Sequence, residues 1–544
     1  MRSPRSRVFG AWLPIVPVVL AASLGACSGP DEISLGGHLT PHTERFVSPA
    51  GSDENDGSMD RPWKTFAHAL PLLAPGSTLQ LLSDDTPYDG STSGTLNVRC
   101  GAASPTTPAP NAVLASSGQP SMPITVRAYS EHGAFVRGDG HVPPITIDGC
   151  HDWAVAGLRV EAQDADDDLT TPDTGSVVVL AGKNANVTLT RLLARHPNRQ
   201  KLAAPVIRIA DGSSGVTVVE CELYDFHGNG IEAARSDSLV LQRNYINSRN
   251  TPDAPGAPTE DPARGDWGVW LEETTHVYAE NNVVENVYAG FGVVGRGGDV
   301  GDDVPALFDP VSNNQLLGNI VNQPAGLGFR LDGRCQGAMP CDAAHTVHHT
   351  VLDNDVVIGG ALGVSDAGSV DTKINQMTIL ESRRSIQLKR ERENAGTTAT
   401  SSVTNTLMMG FQAVAFEVLD EATWGCDHCA AVGGYSPDAT WAPDDAQRVT
   451  KVDAAASDLG ACLVYLPMSS PLRTAGTLGQ PVGANVLRPY DNSGSLVSGT
   501  SLWSPSPFPC GAIVTDVNSD AATSCTGAAG RLHVGFMSNC PLPK

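Results

Sequence analysis

The stretch from Val206 to Gly295 nearly repeats itself, and no other feature of the chain restricts its fold as much. In register it reads VIRIADGSSGVTVVECELYDFHG, then NGIEAARSDSLVLQRNYINSRN, then, after an insertion, WGVWLEETTHVYAENNVVENVYA, then the start of a fourth copy, GFGVVG. Each copy is about 22 or 23 residues long and carries β-branched runs with period-2 alternation, the pattern of short strands rather than helices. A unit of this length cannot bury its apolar side alone. Successive copies must therefore stack into one continuous core, which makes the chain a solenoid.

One column tests the register. Val216, Val218, Cys221 and Leu223 align with Leu239, Leu241, Asn244 and Ile246, and again with Val277, Ala279, Asn282 and Val284; the column runs on through Asn319, Asp355 and Met377. A stacked Asn in a turn can hydrogen-bond its own backbone and the Asn of the next coil, as a parallel β-helix allows. Turns alone would not keep the flanking apolar spacing.

The chain opens as an export address. Arg2, Arg5 and Arg7 precede an apolar run from Val8 to Leu24 that is short and interrupted by proline, unlike a stable membrane span. Its end, Leu24-Gly25-Ala26-Cys27, resembles the lipobox of bacterial lipoproteins. That resemblance implies cleavage before Cys27, lipidation of its thiol, and a place in the cell envelope or at the surface, with the membrane reached only through the lipid; an ordinary secretory signal is the alternative. A formal charge of -24 argues against nucleic acid. Twelve cysteines fit an oxidising compartment. With Cys27 lipidated and Cys221 in the core column, ten remain for bridges, and Cys335 with Cys341, around the short loop CQGAMPC, is the best local pair. In CDHC, Cys426 and Cys429 are read as structural, because neither a second CxxC nor a βαβ context accompanies them.

The expected organisation is a leader at 1–27, a tether at 28–44, an N-terminal cap at 45–77, a parallel β-helix at 78–419 and an irregular, disulfide-stapled C-terminal region at 420–544. Phe66, Ala69, Leu70 and Leu73 sit at i, i+3, i+4 and i+7 behind Thr65, predicting a short helix that closes the end of the solenoid. The FVSPAGSD entry, PWKT before that helix, the PGSTLQL strand and the later GQPVGANVLRPYDNSGSLVSGTSLWSP resemble secreted members of the pectin-lyase-like superfamily. The resemblance implies an all-β, right-handed parallel β-helix, in keeping with the usual hand of parallel crossovers. That superfamily holds lyases, hydrolases, esterases, epimerases and non-catalytic adhesins, so fold alone names no reaction.

Candidate chemistry falls on the outward positions of the first strand of each coil. Alternation started after Gly230, Gly268, Gly290, Gly326, Ala361, Ser385 and Ala413 sends Glu232, Trp270, Gly292, Gly328, Gly363, Gln387 and Ala415 outward, with Ala234, Glu272, Val294, Arg330, Ser365, Lys389 and Glu417 beside them. Insertions at 251–266, 295–310, 333–346 and 390–400 leave at either end of that strand and would wall its face into a groove. On this reading the floor holds Trp270, Glu272, Arg330, Asp332 and Lys389, with Asp266 and Arg264 at the lip.

β-Elimination is the leading chemistry for such a groove and hydrolysis its alternative, and a polysaccharide, acidic for the first of them, is the implied partner of a monomeric protein. In β-elimination Lys389 would take the proton beside a uronate carboxylate while Arg330 or a bound Ca²⁺ neutralises the enolate. In hydrolysis two carboxylates from Glu232, Glu272 and Asp332 would act as acid and base. Trp270 would stack on a sugar ring in either case. Asp299, Asp302 and Asp303 are the candidate Ca²⁺ ligands, without the regular spacing of a calcium loop. A non-catalytic surface protein that binds glycan through the same face is the other reading; side chains spread singly along the face would favour it.

Overall fold

A computed structural model describes residues 43–486, apart from 83–85, 102–111, 139–141, 163–174, 196–203, 211, 249–264, 296–310, 323, 334–346, 390–399, 420–422, 433–448, 456–457, 459–465, 467–468 and 485. The leader and Cys27 lie outside the described residues, as do Arg264, Asp299, Asp302, Asp303, Cys335 and Cys341.

Each coil contributes three short strands, as in Ile231–Ala234, Val240–Gln242 and Tyr245–Asn247. Each pairs in parallel with its counterpart one coil on: Ile231 with Val269, Val240 with Tyr278, Tyr245 with Val283. The first strands build a 12-stranded sheet, here sheet 1; the second and third strands build sheets 2 and 3, joined into one 26-stranded network. One cause of the joining is the long strand Thr423–Val432, which turns the corner and pairs with both. The all-β parallel β-helix expected from the repeat is the architecture observed.

Alternation explains the core. On sheet 2, Val218, Leu241, Ala279, Leu316, Leu352 and Ile374 stack inward with no exposed surface, and each fully buried aliphatic of that size contributes about 1.5–3 kcal/mol. At the next corner a residue in the left-handed region makes the tight turn, as at Arg243, Asn281 and Asn354. The residue after it points in and carries the amide ladder. Asn244 Oδ1 accepts from Cys221 N at 3.0 Å, Asn282 Oδ1 from Asn244 N at 3.0 Å, and Asn319 Oδ1 from Asn282 N at 3.0 Å. These amides satisfy backbone groups that the corner would otherwise leave buried and unpaired.

The cap helix is shorter than predicted. Phe66–Ala69 is α-helical with Thr65 as its cap, the Thr65 hydroxyl accepting from His68 N at 3.1 Å, and the chain then tightens into a 3₁₀ turn at Leu70–Leu72. Pro71 has no N–H to continue an α-helical ladder. The four apolar residues of the predicted face are all buried. The parallel ladder also reaches beyond 78–419: Glu44–Val47 pairs with Thr78–Leu81, and Val449–Lys451 follows Thr423–Val432. Past that strand, Leu466, Leu472, Val482 and Ala484 cover the outer side of sheet 3 with Leu380, Leu407 and Ala430.

Two disulfides join described cysteines. Cys100–Cys150 links neighbouring strands of sheet 1 near the N-terminal end, and Cys426–Cys429 closes within CDHC. Cys221 is a free thiol buried in the core column, where desolvation pushes it up to about 12.

Candidate functional site

Sheet 1 places the predicted residues differently from the sequence reading in three coils. The observed register runs Glu232, Trp270, Gly292, Arg330, Ser365, Gln387, Glu417 along one outward column. The column two residues further along the strands runs Ala234, Glu272, Val294, Asp332, Ala367, Lys389. Arg330, Ser365 and Glu417 are thus one column over from their predicted places. Gly328, Gly363 and Ala415 leave the face altogether: a Cβ on Gly328 would lie 2.4 Å from Gly363 O, and one on Gly363 would lie 2.5 Å from the Ile379 side chain. They belong to an inward column of small residues, Gly230, Gly268, Gly290, Gly328, Gly363, Ser385 and Ala415, that lets each coil bend as it enters sheet 1. In three coils a second small residue, Gly326, Ala361 or Ala413, precedes this one by two. A slip of two preserves side-chain alternation, so the apolar pattern could not reveal it.

The bend also assembles an aromatic pair. Gly268 and Val269 both face inward, so Trp267 and Trp270, three apart, emerge on the same side with ring centroids 4.8 Å apart. Both are half-buried. Sequence reasoning missed Trp267 because strict alternation would have put it on the opposite face from Trp270; WGVW with its glycine at the bend was the available signal. Gly292 faces outward but leaves no open floor beside the indoles. A Cβ there would lie 2.6 Å from the Trp270 ring and 3.1 Å from Trp267, so the glycine lets both indoles approach the next coil closely.

Two carboxylates flank this platform. Glu232 is the register neighbour of Trp270 on the preceding coil and accepts from Asn229 Nδ2 at 2.8 Å. Glu272 stands two residues beyond Trp270 on the same strand, half-buried. One coil and two residues separate the two glutamates, about 8 Å at the backbone. Asp266 is exposed at the start of this strand, its N–H bonded to Gly228 O at 2.8 Å.

The basic candidates are arranged otherwise. Arg330 Nε donates to Asp332 Oδ2 at 3.0 Å, its Nη2 reaches the same oxygen, and the Asp332 side chain is only 2 % exposed. Arg330 therefore pairs with Asp332, not with Glu272. Lys389 lies two coils and two residues from Arg330, about 10 Å along the axis and about 7 Å along the strand, so the pair is not in one column. Further on, Glu417 accepts from Gln387 Nε2 at 2.5 Å and pairs with Arg384 Nε at 3.4 Å. Among the described residues no three of His, Cys, Asp and Glu gather as a metal site. The His348 and His349 rings lie tilted with centroids 6.0 Å apart, and the His349 ring pairs with Asp371 at 3.5 Å.

No family model matches the chain. A stretch of 122 residues is 30% identical to the uncharacterized protein YwoF of Bacillus subtilis (strain 168), and it covers 21% of this chain and about a fifth, 21%, of that relative. Among solved structures the chain is similar to a rhamnogalacturonan lyase at 10% identity, over 84% of this chain and 96% of that one with a TM-score of 0.42. It is also similar to the A-module of the mannuronan C-5 epimerase AlgE6 of Azotobacter vinelandii, at 11% identity over 70% and 91% of the two chains with a TM-score of 0.42. At this distance neither likeness assigns an activity.

Proposed function

We propose that this is an exported, polysaccharide-acting β-helix protein that holds a glycan on the outer face of sheet 1 and cleaves it by hydrolysis between Glu232 and Glu272. The observation that carries the reading is the half-buried Trp267–Trp270 pair with one carboxylate beside Trp270 on the preceding coil and another two residues beyond it on the same strand. An exposed indole face stacks on the apolar face of a sugar ring. Glycoside hydrolysis needs two carboxyl groups across the scissile bond, one protonated, and an inverting pair stands about 6.5–9.5 Å apart so that a water fits between them. Glu232 and Glu272 are the two carboxyl groups that this face places beside the indoles. Elimination is less well supported by this geometry, since Arg330 is held by Asp332 and Lys389 is distant from it. Export and lipidation at Cys27 belong to the same reading, and the disulfides fit the export part of it, since such bonds persist in an oxidising compartment. Ca²⁺, if used, would be held by Asp299, Asp302 and Asp303.

The test is a panel of neutral and acidic polysaccharides assayed for reducing ends and for the ultraviolet absorbance of unsaturated products, with Ca²⁺ and with chelator. Reducing ends without absorbance are expected, with turnover falling by about 10²-fold or more in Glu232→Gln and in Glu272→Gln. Absorbance would overturn hydrolysis and move the chemistry to Lys389. Binding without any product would make the protein a glycan binder, and loss of turnover on chelation alone would assign Ca²⁺ a role.

A further inference from the structure

Resting on the reading that Glu232 and Glu272 cleave a glycan, we infer that Asn229 divides their roles: its amide holds Glu232 as the ionised carboxylate that draws a proton from water, which leaves Glu272 to protonate the departing sugar oxygen. The bend into sheet 1 brings Asn229 and Glu232 together. Gly230 and Ile231 both face inward, so these two residues, three apart, emerge on the same side, as Trp267 and Trp270 do one coil on. Asn229 Nδ2 donates to Glu232 Oε2 at 2.8 Å. A carboxylate only accepts, and a donor placed on it favours the charged form. Arg208, the register neighbour of Glu232 on the preceding coil, adds a positive charge to the same column.

The amide is held in place from both sides. Asn229 O accepts from Val206 N on the preceding coil at 2.8 Å, and the next residue, Gly230, donates its N–H to Trp267 O at 2.8 Å. Asn229 is thus fastened between the coil before it and the coil that carries the indoles. Among the described residues nothing donates to its buried Oδ1, a cost that an apolar side chain of similar size would not carry. Packing alone therefore does not account for an amide here, whereas a donor on Glu232 does. In the reaction Glu232 takes a proton from a water whose oxygen bonds to the anomeric carbon. The bond from that carbon to the leaving oxygen breaks, its electron pair stays with the oxygen, and Glu272 supplies the proton that oxygen needs. Exchange with solvent then returns Glu232 to its ionised state and Glu272 to its protonated one.

The experiment compares the full native chain with Asn229→Ala, Asn229→Asp, Glu232→Gln and Glu272→Gln, each checked for folding by its melting curve. The substrates are the polysaccharide that yields reducing ends and dinitrophenyl glycosides of its oligosaccharides, whose leaving group departs without a proton. Asn229→Ala is expected to lower kcat about tenfold with little change in KM. Asn229→Asp, nearly the same size as the native residue, should lower it further, by about 10²-fold or more, since a second carboxylate there favours the protonated form of Glu232. Loss of packing alone would rank the two variants the other way. Both losses should be equal on the two substrates, as should that of Glu232→Gln, whereas Glu272→Gln should recover on the dinitrophenyl glycosides. Native kcat in Asn229→Ala, a milder effect of Asn229→Asp than of Asn229→Ala, or recovery of Glu232→Gln in place of Glu272→Gln would each overturn the inference while leaving a hydrolytic face intact. A native protein that releases neither reducing ends nor dinitrophenolate would instead remove the reading on which the inference rests, and the inference with it.

Discussion

Asp355 ends the amide ladder with an oxygen where its predecessors carry an N–H. Asn244, Asn282 and Asn319 each donate Nδ2 to a carbonyl of the preceding coil, those of Val218, Leu241 and Ala279, at 2.9, 2.8 and 3.0 Å. By register the next carbonyl in that series is Leu316. Asp355 accepts from Asn319 through Oδ1, but its buried Oδ2 has no partner, since a carboxylate oxygen and a carbonyl oxygen repel. Burial holds this carboxyl well above the usual carboxylate range. Its folded pKa therefore exceeds the unfolded value of about 3.9. The associated stability is full below pH of about 4 and is lost as pH rises through the folded pKa. Asp355→Asn restores the missing donor, so it should stabilise the protein by about 1–3 kcal/mol at neutral pH. The gain should shrink as pH falls toward 4. Melting curves of both proteins across that pH range decide it; a lower melting temperature in the variant at neutral pH would refute the account. In the sequence Asp355 was legible as a ladder member. Its protonation was not, because desolvation depends on the coils stacked around it.

The bend into sheet 1 is the element on which both the fold and the site depend. Each inward glycine of the column faces a core side chain and the carbonyl of the next coil: a Cβ on Gly268 would lie 2.3 Å from Val284, and one on Gly290 would lie 2.5 Å from both Gly328 O and Val321. Overpacking of this kind costs about 1–3 kcal/mol. Gly328→Ala is expected to lower the melting temperature by that equivalent, and Gly268→Ala should also separate Trp267 from Trp270, seen as a change in tryptophan fluorescence before any unfolding. Unchanged fluorescence in a folded Gly268→Ala protein would show that the bend does not set the pair. The strands and their coil period could be read from sequence because alternation and β-branching are local. The placement of Arg330, Ser365 and Glu417 could not, because register is decided where a Cβ meets a neighbouring coil.

At the scale of the whole molecule, a solenoid holds each coil only by its two neighbours, so its ends are where cross-links matter most. The two disulfides differ sharply in what they constrain. Cys100–Cys150 closes a sequence separation of 50 and ties two adjacent sheet-1 strands, whose register pairs Arg99 with Asp148 and whose salt bridge between those residues is 3.0 Å long. Cys426–Cys429 closes a separation of 3 within a single strand. In the chain-entropy account a closed loop of about 50 residues contributes about 4 kcal/mol and a loop of a few residues about half of that. Cys100→Ser with Cys150→Ser should therefore destabilise the protein more than Cys426→Ser with Cys429→Ser, by about 2 kcal/mol. Denaturant unfolding of the two double variants, followed by circular dichroism, gives the comparison. A repeat protein whose ends release before its middle should show the first variant's loss as an earlier transition of low amplitude, leaving the later one in place. A single transition shifted equally by both would mean that the coils unfold as one unit and that neither end is held by its own staple.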